Sequence, residues 1–262
     1  MALFQVNFYS HTLGHGVDIQ LTIPSLSSCD KVPAEGTVHT PPAKFPVLYL
    51  LHGHGNDYQC WTRYTSVERL AEEQRIAIVT FNSGNKAYNN MPDGDNYFDF
   101  LARELPDFVT AYFPISDRRE DTYIAGLSMG GYGTLAHAFK CPERYCAYGA
   151  MSPGVSIRAV RNRPDNPWAE LYARSIEPID EAAARVKEGV ALPKGYICCG
   201  KQDFLYERVS QFVKDLAALG VDFVWHPVDG YEHEWRYWDV EIANFLNWIP
   251  RTDYYADKPH KV

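Results

Sequence analysis

No stretch of this sequence is long and apolar enough to cross a bilayer. The longest clean apolar run, residues 47–51, has five residues, against the about 20 that a spanning helix needs. The opening MALFQVNFYSHTLGHG has no basic start and no long apolar centre, so it does not read as a secretory signal. Cysteine is scarce, six in 262 residues, at positions 29, 60, 141, 146, 198 and 199, and no two make a C-x-x-C pair. That usage fits buried free thiols in a reducing compartment, so a cytoplasmic location is expected. Positive charge is in the minority: 25 Lys and Arg face 33 Asp and Glu, for a net charge of −8. Such a balance argues against general affinity for nucleic acid or an anionic membrane. It leaves a small molecule as the expected partner, with self-association into a homo-oligomer open.

What is present is ordinary globular material, 46% hydrophobic and 22% charged, without internal repeats. A chain of 262 residues is long enough to bury roughly 70–75% of its unfolded surface. One domain over residues 1–262 is the expectation. Residues 4–9 and 17–23 alternate and are rich in Val, Ile and aromatics, as half-buried strands are. A Ser/Pro/Gly-rich loop follows, and then the rhythm becomes strand–helix alternation. Buried strands are predicted at 45–51, 76–81, 121–126, 145–151, 194–200 and 223–228. Helices are predicted at 67–74, 96–112, 130–141, 207–219 and 238–248. In the 96–112 helix the apolar series is Tyr97, Leu101, Leu105, Phe108, Val109 and Tyr112. This alternation predicts an α/β class, a mostly parallel central sheet with helices on both faces. Residues 153–193 break the rhythm with a long excursion. It holds Arg158, Arg161 and Arg163, then Trp168 and Tyr172, then a predicted helix at 180–188. It is read as a small cap insertion over the carboxyl ends of the strands.

The chemistry concentrates on three loops. Gly126-Leu127-Ser128-Met129-Gly130 matches G-x-S-x-G, a weak signal by itself. Here a predicted strand runs into it and a predicted helix runs out, the context that a nucleophile elbow requires. A serine hydroxyl needs a base to take its proton, and the base needs an orienting acid. In elbow folds the chain order is Ser, acid, His. Asp203 follows the strand at 194–200, and His233 follows the strand at 223–228. Ser128, Asp203 and His233 therefore each occupy a loop after a core strand, where sites form in such sheets. His137 lies too far along its helix, His226 lies inside a strand, and His52 and His54 precede the nucleophile. Asp229 and Glu232 are less suited than Asp203, because an acid must approach the imidazole from another loop. Glycines 53 and 55 let the backbone after residue 51 approach a substrate. The amides of His54 and Met129 are the expected oxyanion donors. Tyr58, Trp61, Tyr88, Trp168 and Trp235 are expected to wall the substrate pocket. Walls of that kind suit a short or planar aromatic acyl group.

Five segments, LLHGHGNDYQCW, DNYFDFLARELPDFV, GLSMGGYGTLAHAF, GKQDFLYE and GYEHEWRYW, resemble the tributyrin-esterase branch of the esterase D-like family. That branch is related to feruloyl and acetyl-xylan esterases. The resemblance runs from residue 45 to 250. It implies an α/β-hydrolase fold and a serine carboxylesterase using Ser128, Asp203 and His233, with no metal and no cofactor. S-formylglutathione hydrolases are a sister group, but this chain has HGHGN where they show an S-G-L-T-C-like stretch. A thioester hydrolase or an acyltransferase on the same triad is the alternative. A non-catalytic carbohydrate-binding descendant would have lost a triad member, and none is missing.

Overall fold

The computed structural model describes residues 1–26, 39–158, 169, 172 and 175–258. Its opening strands β1 (Ala2–Ser10) and β2 (His15–Ile23) form an antiparallel hairpin, from Ala2 opposite Ile23 to Ser10 opposite His15. Strand β2 also runs antiparallel to β4 (Ala77–Phe81). Every later pairing is parallel, through β3 (Val47–Leu51), β5 (Thr122–Leu127), β6 (Ala147–Met151), β7 (Lys194–Gly200) and β8 (Phe223–Val228). The described residues thus form an eight-stranded sheet in the order β1-β2-β4-β3-β5-β6-β7-β8.

The apolar continuity of β3 has a direct cause: successive side chains serve opposite faces of a sheet covered on both sides. Val47, Tyr49 and Leu51 join one core cluster. Its helical partners are Leu105 and Val109 of α4 (Leu105–Tyr112), Leu135 and Phe139 of α5 (Met129–Lys140), and Phe212 of the helix Tyr206–Ala218. Leu48 and Leu50 face the other way. They meet Trp61 of α1 (Cys60–Tyr64), Val67 and Ala71 of α2 (Val67–Gln74), and Ile242 and Phe245 of the helix Trp235–Trp248.

The predicted 96–112 helix is not uniform. It begins as α3 (Tyr97–Asp99), opens into a π-helical turn at Phe100–Glu104, and resumes as α4. Phe100 and Ala102 enter the core there, while Tyr112, the last residue of α4, stands 75% exposed. This corrects the simple helical series, in which Tyr112 was an inward position. Strand β8 is an edge strand and only partly buried. Its Pro227, opposite Cys199, is tolerated because an edge position need not donate on both sides.

Between β6 and β7, α6 (Pro178–Lys187) packs against α5, with Ala182 in the core and Lys140 Nζ 2.9 Å from Glu181. Two further helices complete the chain, α7 (Tyr206–Ala218) and α8 (Trp235–Trp248). Arg161, Arg163 and Trp168 lie outside the described residues. Among the described residues no helix is long and apolar enough to cross a membrane.

Candidate active site

Ser128 stands between the end of β5 and the start of α5 with φ 54° and ψ −113°. Positive φ is costly for a residue with a Cβ, so the neighbours must hold it. They do so through three backbone hydrogen bonds. The Ser128 amide donates to Met151 O at 3.0 Å, and its carbonyl accepts from Tyr132 N at 3.0 Å and Gly154 N at 2.9 Å. The turn is too tight for side chains on either flank. A Cβ on Gly126 would sit 2.5 Å from the Gly130 carbonyl oxygen, and one on Gly130 would collide with the Leu51 carbonyl. This is why the sequence carries glycine at both positions. The geometry also aims Ser128 out of the sheet at the amino end of α5, where first-turn amides lack helical acceptors.

Asp203 and His233 meet across two loops. His233 Nδ1 lies 2.7 Å from Asp203 Oδ2, and Asp203 Oδ1 accepts the Leu205 amide at 2.8 Å. Burial pushes the Asp203 carboxyl up. Hydrogen bonds from His233, the Leu205 amide and the Ser152 hydroxyl outweigh that effect and hold it below its ordinary value. The imidazole sits between two aromatics, with ring centroids 4.7 Å to Phe204 and 4.9 Å to Trp238. Trp238 Nε1 in turn donates to Ser152 Oγ at 3.2 Å, and Ser152 follows β6 with φ 43°. The nucleophile candidate and this pair thus stand past the carboxyl ends of β5, β7 and β8, within one set of neighbouring strands spaced roughly 5 Å apart.

Three other histidines are committed elsewhere. His52 is buried, with Nδ1 on Gly53 O at 2.8 Å and Nε2 accepting from Ser83 N at 3.2 Å. His137 is buried in α5, its Nε2 donating to Tyr88 O at 3.2 Å and its ring stacked 4.1 Å from Phe98. His226 on β8 pairs with Glu241 at 3.1 Å and with the Tyr196 hydroxyl at 2.9 Å. Asp229 is taken by Gln202 and the Gly230 amide.

The loop after β3 lies against the elbow. A Cβ on Gly53 would come 2.6 Å from Leu127 Cδ1 and 3.6 Å from Ser128 Cβ. Asn85 Oδ1 holds the Gly55 amide at 2.8 Å, and Asn56 Nδ2 holds His54 O at 3.1 Å. His54 and Met129 line one cavity of about 520 Å³ together with Asn85, Ala87, Tyr132, Gly154, Ser156, Ile157 and Tyr172.

The expected aromatic wall needs correction. Trp61 is fully buried, its Nε1 donating to Leu51 O at 3.0 Å, and Tyr88 is fully buried, its hydroxyl donating to His52 O at 3.0 Å. Both support the loop after β3 from beneath instead of facing a ligand. Tyr58 and Trp235 are half-buried and line no part of this cavity. Trp235 packs among Trp61, Tyr64 and Trp238. Sequence reasoning missed Asn85, Ala87, Tyr132 and Ile157 as lining. Only Tyr132, four residues past the nucleophile, carried a positional signal.

Residues 32–249 match the family described as "Putative esterase". The chain belongs to that esterase family. It is 29% identical over 269 aligned residues to an acetyl esterase of Caldicellulosiruptor saccharolyticus, covering 96% of this chain and 99% of the relative. The structure of FphF, a fluorophosphonate-binding serine hydrolase of Staphylococcus aureus, is 30% identical with a TM-score of 0.83. That match covers 95% of this chain and 98% of FphF. The S-formylglutathione hydrolase FrmB of the same organism matches at 30% identity with a TM-score of 0.81, over 95% and 98% of the two chains. The esterase is thus a serine hydrolase acting on carboxylic esters, with the α/β-hydrolase fold. Among the described residues of the esterase, no group of three or more His, Cys, Asp or Glu could hold a metal ion.

Proposed function

We propose that this esterase hydrolyses short-chain carboxylic esters through an acyl-enzyme on Ser128. His233 acts as general base and then general acid, and Asp203 orients it. The observation that carries this reading is the 2.7 Å contact between His233 Nδ1 and the buried Asp203, on loops beside a serine held at positive φ. With Nδ1 committed to Asp203, the proton from Ser128 is taken at Nε2 as Oγ attacks the ester carbonyl. The Met129 and His54 amides then stabilise the oxyanion. His233 returns the proton to the departing alcohol, and water releases the acyl group by the same steps in reverse order. The cavity bordered by Met129 and His54 receives the acyl chain. Gly154, Ser156, Ile157 and Tyr172, from the segment expected as a cap, contribute to it. Free thiols at Cys60, Cys141, Cys146, Cys198 and Cys199 support work in a reducing compartment.

The likeness to an S-formylglutathione hydrolase favours a second reading, a thioester substrate on the same residues. Two measurements decide. Ser128→Ala should keep its circular dichroism and melting temperature while kcat/KM for nitrophenyl butyrate falls at least about 10³-fold. Activity above a few per cent of the parent would remove Ser128 from its role. Comparing kcat/KM for nitrophenyl butyrate and S-formylglutathione separates the two substrates, and the ester is expected to be the better one.

A further inference from the structure

An esterase must hold both halves of its substrate, and the cavity beside Met129 accounts for one. That cavity touches the oxyanion loop and α5 but includes no residue of the His233 loop. The leaving oxygen has a fixed address on chemical grounds. During acylation the Ser128 Oγ–carbonyl bond forms and the carbonyl–alkoxy bond breaks. The alkoxy oxygen takes the proton from His233 and departs as alcohol. Whatever that oxygen carries therefore lies beside the imidazole.

The surroundings of the imidazole are unusual for a surface. Phe204, directly after Asp203, is 75% exposed, yet its ring centroid is 4.7 Å from that of His233. On from His233, centroid contacts run 4.9 Å to Trp238, 5.3 Å to Trp235 and 5.2 Å to Tyr64, itself 53% exposed. A lone exposed phenylalanine needs no explanation. One that is tilted 53° against the imidazole of the proton-transfer pair presents apolar surface where the leaving group must pass. It fills no core, since most of its surface meets water.

We infer that Phe204 determines specificity for the leaving group, its exposed ring beside His233 taking an alcohol that bears an apolar ring. The inference rests on the proposed roles of Ser128 and His233. It extends them to the alcohol half of the substrate, which the acyl cavity does not reach. Ring faces attract other rings in offset or edge-on arrangements beyond their area of contact. Small linear alcohols would leave most of that surface wet.

The test compares benzyl acetate with ethyl acetate, which share the acyl group and differ little in leaving-group basicity. The parent enzyme should prefer the benzyl ester by roughly tenfold in kcat/KM. Phe204→Ala should bring that ratio to near one, and Phe204→Tyr should restore it, with melting temperatures unchanged because position 204 is exposed. A parent ratio near one, or a ratio untouched in Phe204→Ala, would overturn the subsite. So would an equal loss on both esters with a displaced acid limb of the pH–rate profile. That pattern would make Phe204 a shield for the Asp203–His233 pair. Ser128→Ala is assayed alongside. Residual turnover there defeats the nucleophile assignment, whereas a silent Ser128→Ala with an unchanged ratio defeats only the subsite.

Discussion

Asp203 is buried, and burial alone would raise its carboxyl toward neutrality. Hydrogen bonds from His233, Leu205 and Ser152 win, and the group stays below its ordinary range. Its anion therefore contributes stability above the ordinary carboxylate pKa, and that contribution is lost as pH falls through the lower folded value. The same anion sets the tautomer of His233 by accepting from Nδ1. Asp203→Asn keeps an oxygen for the Leu205 amide but can turn an N–H toward Nδ1. That would place the imidazole proton on Nε2, the atom proposed to accept from Ser128. We predict a loss of roughly 10⁴ in kcat, as spoiling this tautomer causes in other triads, with a lower melting temperature because the anion's contribution is lost. Steady-state assays with calorimetry check it, and a loss under tenfold would point to another acid.

Helix α5 does two jobs with one sequence. Its first turn presents the Met129 amide beside Ser128, while its later turns lie entirely inside the core, from Gly130 to Phe139. Burying His137 there has a thermodynamic consequence. Desolvation lowers its pKa from 6.5 to about 3, with the hydrogen bond to Tyr88 O opposing and Arg144 adding a little. The folded protein thus keeps His137 neutral across a range in which the unfolded chain takes up a proton. Stability from this residue is complete above pH 6.5 and falls as pH drops from 6.5 toward 3. The slope approaches about 1.4 kcal/mol per pH unit. His137→Phe removes the titration and retains a ring to stack on Phe98. In urea titrations at pH 7 and pH 4.5, the gap in unfolding free energy should narrow by about 2 kcal/mol in the variant. An unchanged gap would mean that His137 is not held neutral.

At the scale of the whole molecule, parallel pairing brings the carboxyl ends of β3, β5, β6, β7 and β8 to one edge. The cavity beside Met129 lies on the α5 side of that edge. Two tyrosine hydroxyls bound it: Tyr172 donates to Asn85 O at 2.9 Å, and Tyr132 donates to Ile176 O. Those ties join the segment after β6 to the loop after β4 and to α5. We predict that kcat/KM across a nitrophenyl series from acetate to palmitate peaks at roughly two to four acyl carbons and drops steeply beyond about eight. Each added methylene offers only about 0.8 kcal/mol of burial, which a bounded cavity soon withholds. A maximum at dodecanoate or longer would contradict this.

Some of this protein was determined by local sequence alone. The elbow was legible because its flanking residues must lack side chains: Gly126 and Gly130 approach backbone within van der Waals distance, and only glycine allows that. The order of strands and helices was legible because burial on both faces demands continuous apolar runs such as residues 47–51, and one-sided burial demands helical spacing. The choice of Asp203 over Asp229 followed from the geometric need for an acid on a separate loop, and the fold brings Asp203 within 2.7 Å of His233 Nδ1. The aromatic wall was not legible. Trp61, Tyr88 and Phe204 are all large aromatic residues in segments that follow core strands near the site. Which of them is buried depends on neighbours far away in the chain, such as Gly133 beneath the Tyr88 ring. Tyr112 shows the same limit within a helix, since it shares helical spacing with the buried Leu105 and Val109 and yet stands exposed at the end of α4. Local chemistry specifies what a backbone can do at a point. Only packing among distant segments decides which side of a ring meets water, and in this esterase that decision assigns Trp61 to the core and Phe204 to the surface beside His233.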